Sequence, residues 1–199
     1  MALLAFLLLT NVVVTPAIPA PKVFVSGQYA LTLRSPVKAT ICPLPKGWTG
    51  SDHGTILFLS PPQKCGGAGF PSSSRGWMGG APSRRIEIYY QYWMGDDQPS
   101  SPPCHRYARV NFMGRPRSLC QVAAKGRIEL SVSARYMADI EAWTDIRLIT
   151  TPAKLSADLP RFKSLLESVR SCRATWSDDH GKSGAYGRGA PCPAKGEFF

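Results

Sequence analysis

The feature that most constrains this 199-residue chain is a set of six cysteines, all of them C-terminal to residue 41. They follow an apolar segment, Ala2–Val14, which has the length of a signal-peptide hydrophobic region and is too short to span a bilayer. An even number of cysteines behind an export signal predicts disulfides, because thiols are oxidised outside the cytosol. We therefore expect a periplasmic or secreted protein, with a signal peptide in residues 1–20 that is cleaved after Ala17 or Ala20.

The spacing of the cysteines leaves their connectivity open. Because closing a short loop loses less chain entropy than closing a long one, neighbours in sequence are the favoured partners. The expected disulfides are Cys42–Cys65, Cys104–Cys120 and Cys172–Cys192. Each is expected to stabilise the fold by about 3 kcal/mol. The wide spacings and the lack of a Cys-x-x-Cys pair argue against a zinc site, so neither a metal nor a cofactor is predicted.

Strand patterns dominate the middle of the chain. Apolar and polar residues alternate, or short β-prone runs end at Gly and Pro, in several segments. The predicted strands are Gln28–Leu33, Thr55–Leu59, Arg85–Trp93, Tyr107–Phe112, Ser118–Val122, Gly126–Tyr136 and Asp145–Thr151. Gly-, Pro- and Ser-rich loops separate them, and the longest of these is Pro61–Ser83. The turn "MGRPR" between the fourth and fifth of these strands predicts a hairpin.

One amphipathic helix is predicted near the C-terminus. Its apolar stripe follows the spacing of a single helix face and consists of Leu155, Leu159, Phe162, Leu166 and Val169. Thr151 and Pro152 fit an N-cap and a first helical position. Pro160 lacks an N–H, so we expect a kink or a split there, with Asp158 capping the second piece.

The order of many strands and then a helix predicts an α+β fold, a single antiparallel sheet with the C-terminal amphipathic helix packed on it. Residues 21–172 are expected to form one disulfide-stabilised domain. Residues 173–199 have little apolar content, so we expect an irregular Gly-rich tail, held at one point if Cys192 is bridged.

The formal net charge is +11, and no charged side chain lies in residues 1–20. The positive charge is densest in the middle of the chain, where nine cations face three acidic residues. The cations are Arg75, Arg84, Arg85, Arg106, Arg109, Arg115, Arg117, Lys125 and Arg127. Outside the cytosol such a surface favours lipid head groups, acidic glycans or acidic proteins as partners. No nucleic-acid-binding motif accompanies the charge, so nucleic acid is not an expected partner.

Aromatic residues occur beside these cations. Tyr89, Tyr90, Tyr92 and Trp93 lie in one predicted strand that begins at Arg85, so they are placed to stack on a sugar or head group while arginines bind its anionic groups. The alternative is that one face of this strand is core and the other packs under a loop. The candidate binding residues are Arg84, Arg85, Arg115, Arg117, Tyr89 and Trp93.

Three short motifs invite a catalytic interpretation. Asp52-His53-Gly54 matches a metal-ligand triplet of phosphatases, but there the apolar strand precedes the triplet, whereas here it follows. A turn before the strand fits these residues better. Cys104-His105 has the composition of a thiol–base pair, but we expect that cysteine to be bridged. His180, in "SDDHGK", is expected in a solvated loop rather than a metal site.

The segment Arg127–Ser171 resembles the end of PsbP-like α/β-plait domains of exported proteins. The resemblance is carried by the strands "GRIELSVSARY" and "WTDIRLITT" and by the helix "ADLPRFKSLLESVRS", with its Leu-Pro-x-Phe opening. It implies a terminal helix packed on an antiparallel sheet and a non-catalytic accessory or binding module, and it supplies no site residues.

Taken with the charge, these patterns favour an exported accessory or binding protein that contacts an anionic envelope component or an acidic protein. No catalytic residue is predicted. The alternative is a small exported hydrolase that uses His53 or His105.

Overall fold

The computed structural model describes residues 23–26, 30–35, 39–43, 54–59, 65, 84–92, 104–124, 126–137, 142–177 and 179–193. The predictions for the signal peptide, for Asp52 and His53, for Trp93 and for most of the loop Pro61–Ser83 lie outside these residues. Within the described ranges the chain forms twelve strands and one α-helix.

The strands are β1 (Val23–Ser26), β2 (Leu31–Arg34), β3 (Thr40–Pro43), β4 (Gly54–Phe58), β5 (Arg85–Tyr92), β6 (His105–Phe112), β7 (Arg115–Ala124), β8 (Arg127–Met137), β9 (Ala142–Thr150), β10 (Arg170–Ser171), β11 (Arg173–Ser177) and β12 (Ser183–Gly187). The helix α1 spans Leu155–Ser168 and follows a 3-10 turn at Pro152–Lys154. All seven predicted strands are present with shifted ends, while β1, β3, β10, β11 and β12 were not predicted.

A seven-stranded antiparallel sheet, in the order β3-β4-β5-β9-β8-β7-β6, forms the body of the fold. The predicted antiparallel sheet with a C-terminal helix is therefore confirmed in outline. The prediction of a single sheet is right for this large sheet, but two smaller sheets accompany it: β1, β2 and β10 form a three-stranded sheet, and β11 and β12 form a hairpin. Alternation of apolar residues identifies a strand, but it does not specify which neighbour that strand pairs with.

The hydrophobic core lies on the face of the large sheet that α1 covers. Ile86 and Ile88 of β5 pair with Leu148 and Ile146 of β9 in register, and all four side chains are buried. Phe162, Leu165 and Leu166 of α1 and Leu31 and Leu33 of β2 belong to the same core. Helix and small sheet thus bury one face of the large sheet together.

Helix α1 runs through Pro160 without a break. A proline in a helix interior costs about 3 kcal/mol, but burying one large apolar side chain contributes about 1.5–3 kcal/mol. Phe162, Leu165 and Leu166 are all buried, so their packing outweighs the proline and keeps the helix whole. The expected split is therefore wrong. Asp158 is also not a cap: it lies inside α1 and is fully buried.

Three disulfides join neighbouring cysteines, as the entropy of loop closure favours. They are Cys42–Cys65, Cys104–Cys120 and Cys172–Cys192, with Cα–Cα distances of 5.4, 4.9 and 4.9 Å. In the described ranges, no helix combines the length and the apolar character needed to cross a membrane.

Residues 173–177 and 179–193, the described part of the predicted irregular tail, contain regular structure, which corrects that prediction for these residues. β11 and β12 form an antiparallel hairpin, and backbone hydrogen bonds join Arg173 to Ala190 and to Cys192. Gly187 has φ +82°, and a Cβ there would collide with the carbonyl oxygen of Cys172. The low apolar content of this segment led to the wrong prediction, because a disulfide and a close backbone contact, rather than apolar burial, hold the β11–β12 hairpin in place.

Candidate functional site

The candidate site is the hairpin of β6 and β7, residues His105–Ala124, which we name the basic hairpin. Its turn consists of Met113 and Gly114, with φ values of 52° and 74°. Positive φ at both central residues is typical of the type I′ turn, whose twist matches that of paired strands. The turn is thus two residues long, shorter than the predicted five-residue turn "MGRPR", and Pro116 lies within β7 opposite Asn111.

The far end of the basic hairpin is closed covalently. Cys104 and Cys120 form a disulfide next to the start of β6. Between Arg106 and Ala108 the register shifts, which places the intervening Tyr107 in a β-bulge. A disulfide at one end and a tight turn at the other hold this edge strand in a defined shape.

Positive charge is unopposed within the basic hairpin. The segment contains four arginines and no acidic residue. Arg106, Arg109 and Arg115 are exposed, and Arg117 is half-buried, with no hydrogen-bond partner for its Nε in the described structure. A surface of this kind attracts anions, and it loses this attraction as salt screens the charges.

The strand register distributes these cations over both faces of the sheet edge. Arg106 and Arg109 lie opposite Cys120 and Ser118. Arg115 and Arg117 lie opposite Phe112 and Val110, whose buried side chains point to the core face. An anionic group approaching the edge from either face therefore meets arginine.

The basic hairpin also carries exposed apolar side chains. Among the described residues, the exposed large hydrophobic side chains are Tyr107 and Val122, with 38% and 46% of their surface accessible. Exposed apolar groups beside unpaired cations are a feature of contact surfaces, where they supply the hydrophobic part of binding. Neither residue was among the predicted binding residues.

Arg84, predicted to bind a partner, instead holds a buried carboxylate. It donates to Asp158 from Nε at 2.9 Å and from Nη2 at 2.5 Å, and Thr150 Oγ1 donates to the same carboxylate at 2.6 Å. Burial alone would raise the pKa of Asp158, but these hydrogen bonds and the positive charges of Arg84 and Arg161 hold its pKa below the ordinary value. This cluster fastens α1 to the large sheet.

Arg85 and Tyr89 are also engaged inside the fold. Both are buried, and Glu87 between them accepts from Arg85 Nε at 2.6 Å and from Tyr89 Oη at 2.6 Å. On β5 these side chains occupy the face opposite Ile86 and Ile88, so both faces of the strand are buried over Arg85–Tyr89. The second face is therefore not a free surface at Arg85–Tyr89, and the loop that the alternative expects to cover it lies outside the described residues.

The described members of the predicted binding set therefore do not form one surface. β9 and β8 lie between β5, which carries Arg85 and Tyr89, and β7, which carries Arg115 and Arg117. Arg115 and Arg117 share the basic hairpin with Arg106 and Arg109, two arginines that the sequence analysis counted in the basic region but did not include in the site.

A second charged group was not predicted. Arg147 on β9 pairs with Asp145 at 2.5 Å, approaches Glu129 at 3.8 Å and lies 5.0 Å from the ring centre of Tyr89. Burial would lower the pKa of Arg147, but the negative charge and hydrogen bond of Asp145 raise it above the ordinary value. Asp145 and Arg147 lie two residues apart, a spacing that places both side chains on one face of a strand, so the sequence could have predicted this ion pair.

Among the described residues, the catalytic candidates are Cys104, His105 and His180. Cys104 is oxidised and supplies no thiolate to the exposed His105 beside it. His180 lies exposed in the turn between β11 and β12. Within the described ranges, no group of three or more His, Cys, Asp or Glu side chains is arranged to hold a metal ion.

Comparison of the chain with models of known families, with curated proteins and with solved structures gives no match.

Proposed function

We propose that this chain is an exported, non-catalytic binding or accessory protein, periplasmic or secreted, that contacts an anionic envelope component or an acidic protein through the basic hairpin. The observation that carries the proposal is the combination of four arginines, no acidic residue and two exposed apolar side chains on one covalently closed edge hairpin. Such a surface offers an anionic partner both long-range attraction and an apolar contact.

Export is supported by the three disulfides, because such bonds persist in oxidising compartments. The resemblance of Arg127–Ser171 to PsbP-like domains also favours an accessory role. The apolar segment Ala2–Val14 supports the same compartment.

The basic hairpin is tested by replacing three exposed arginines, with Arg106→Ser, Arg109→Ser and Arg115→Ser combined. The matched control replaces exposed cations elsewhere, Lys154→Ser, Arg173→Ser and Arg188→Ser, which changes the net charge equally. Retention of each protein on phosphatidylglycerol vesicles and on native envelope extract is measured as a function of NaCl concentration.

At about 1 kcal/mol for each cation near an anionic surface, the hairpin variant should bind roughly a hundredfold more weakly than the wild-type protein. The control variant should retain most of the affinity, and the retention of the wild-type protein should fall as salt rises. Equal losses in the two variants would mean that only net charge matters, which contradicts a defined site. Salt-insensitive retention would contradict the electrostatic part.

A further inference from the structure

The outer edge of β6 is the starting observation. β6 is the last strand of the seven-stranded sheet, and in the described part of the chain it pairs only with β7. A strand at a sheet edge presents backbone N–H and C=O groups that another extended chain can bond.

The turn determines which backbone groups point outward. In a two-residue turn the flanking residues, here Phe112 and Arg115, form a hydrogen-bonded pair, and the pairs then alternate along an antiparallel ladder. Val110 therefore bonds towards β7, while Arg109 and Asn111 direct their N–H and C=O groups away from it. Pro116, opposite Asn111, lies at a position that needs no N–H for this ladder.

The outward groups match an extended polypeptide. Two N–H and two C=O groups alternate with a spacing of two residues along β6, which is the repeat of a paired strand. Lipid head groups and glycans lack an alternating backbone of this kind. Towards the bulge, Tyr107 adds an exposed apolar side chain beside the same edge.

Charge selects among polypeptides. Arg106 and Arg109 lie on the edge strand itself, and neither β6 nor β7 contains an acidic residue. Two copies of β6 side by side would place arginines against arginines, which opposes self-pairing. An acidic strand would instead place carboxylates opposite them.

We infer that β6 is a strand-addition site, at which an extended acidic segment of a partner polypeptide pairs with the outer edge through Arg109 and Asn111. The inference rests on the proposed function, since it names the chemistry of the partner that the basic hairpin contacts. It adds a requirement for backbone pairing that charge attraction alone does not have.

The test uses Asn111→Pro, which removes one outward N–H that the ladder with β7 does not use. Proline is tolerated at such edge positions. The matched control is Asn111→Ala, which removes the same side chain and keeps the N–H. The probe is a short labelled peptide of alternating glutamate and valine, with phosphatidylglycerol vesicles as a second probe, and the disulfide-intact protein is used throughout.

We expect Asn111→Pro to weaken peptide binding by about tenfold, because a net backbone hydrogen bond is lost and the ring obstructs pairing. Asn111→Ala should bind the peptide as the wild-type protein does, and both variants should bind vesicles equally. A second measurement does not depend on the folding of a variant: methylating every backbone amide of the peptide should abolish its binding to the wild-type protein.

Other results overturn the inference in distinguishable ways. Equal peptide affinities of Asn111→Pro and Asn111→Ala, or unchanged binding of the methylated peptide, would refute strand addition and leave the electrostatic site in place. Vesicle binding without peptide binding would assign the site to lipid. If the variant that combines Arg106→Ser, Arg109→Ser and Arg115→Ser bound both the peptide and the vesicles as the wild-type protein does, the proposed function would be refuted as well.

Discussion

The buried carboxylate of Asp158 gives the sharpest prediction for stability. In Asp158→Asn the side chain keeps its shape, but it loses its charge and one acceptor oxygen becomes an NH₂ donor. That NH₂ group would meet a donor, either of Arg84 or of Thr150, which in the native protein lie 2.5–2.9 Å from the carboxylate oxygens. The substitution therefore leaves at least one polar group without its acceptor.

The expected size follows from burial. Asp158 is fully buried, whereas 21% of the Arg84 side chain is exposed. Breaking a buried ion pair costs about 3–5 kcal/mol, and the partial hydration of Arg84 places the expected loss near the lower limit, about 3 kcal/mol. Asp145→Asn is the matched control, because this carboxylate and its partner Arg147 are 17% and 38% exposed, and its loss should not exceed about 1 kcal/mol.

The free energy of unfolding is measured by urea denaturation with disulfides intact, from pH 7 down to pH 2. Because the pKa of Asp158 is lowered in the folded state, its contribution is present above the unfolded pKa of about 4 and is lost as pH falls through the folded pKa. Asp158→Asn should therefore show a flatter acid limb than the wild-type protein. A loss no larger than that of Asp145→Asn, or an unchanged acid limb, would refute this account of the cluster.

Two further predictions concern backbone positions, measured by the same denaturation assay. Gly187→Ala should destabilise the protein far more than Gly181→Ala. Both glycines have positive φ, which costs a residue with a side chain about 1–2 kcal/mol. Only the Cβ at position 187 also meets the Cys172 carbonyl and, at 2.6 Å, the Ala30 side chain. Equal losses would show that this close approach is absent. Pro160→Ala should stabilise the protein by about 2 kcal/mol. It restores a helical N–H, which outweighs the greater freedom that the unfolded chain gains when the proline is removed. A destabilised variant would contradict that balance.

Local features of the chain were predictable from sequence because local physics decides them. Alternation along segments such as Arg85–Trp93, the apolar stripe of α1 and the entropy of loop closure all act over short separations. They predicted the main strands, the helix and the three neighbouring disulfides. Strand ends shifted by a few residues, and Pro160 was overruled by tertiary packing.

Roles that depend on distant contacts were not predictable. Arg84 lies 74 residues before Asp158 in the chain, and no local pattern indicates that the two meet. An arginine in an ion pair and an arginine on a binding surface look the same in a charge count. Arg106 and Arg109 differ from Arg84 and Arg85 because the topology places the former on an edge strand that pairs with β7, and neither of these two strands contains an acidic residue.

Hydrogen–deuterium exchange of the disulfide-intact protein, with and without the acidic peptide or the phosphatidylglycerol vesicles, tests the central claim most directly. We predict that binding slows exchange within His105–Ala124, and that with the peptide the amides of Arg109 and Asn111, which face outward from β6, change most. Slowed exchange at Arg84–Tyr92 in place of the basic hairpin, or no change anywhere with either probe at low salt, would contradict it.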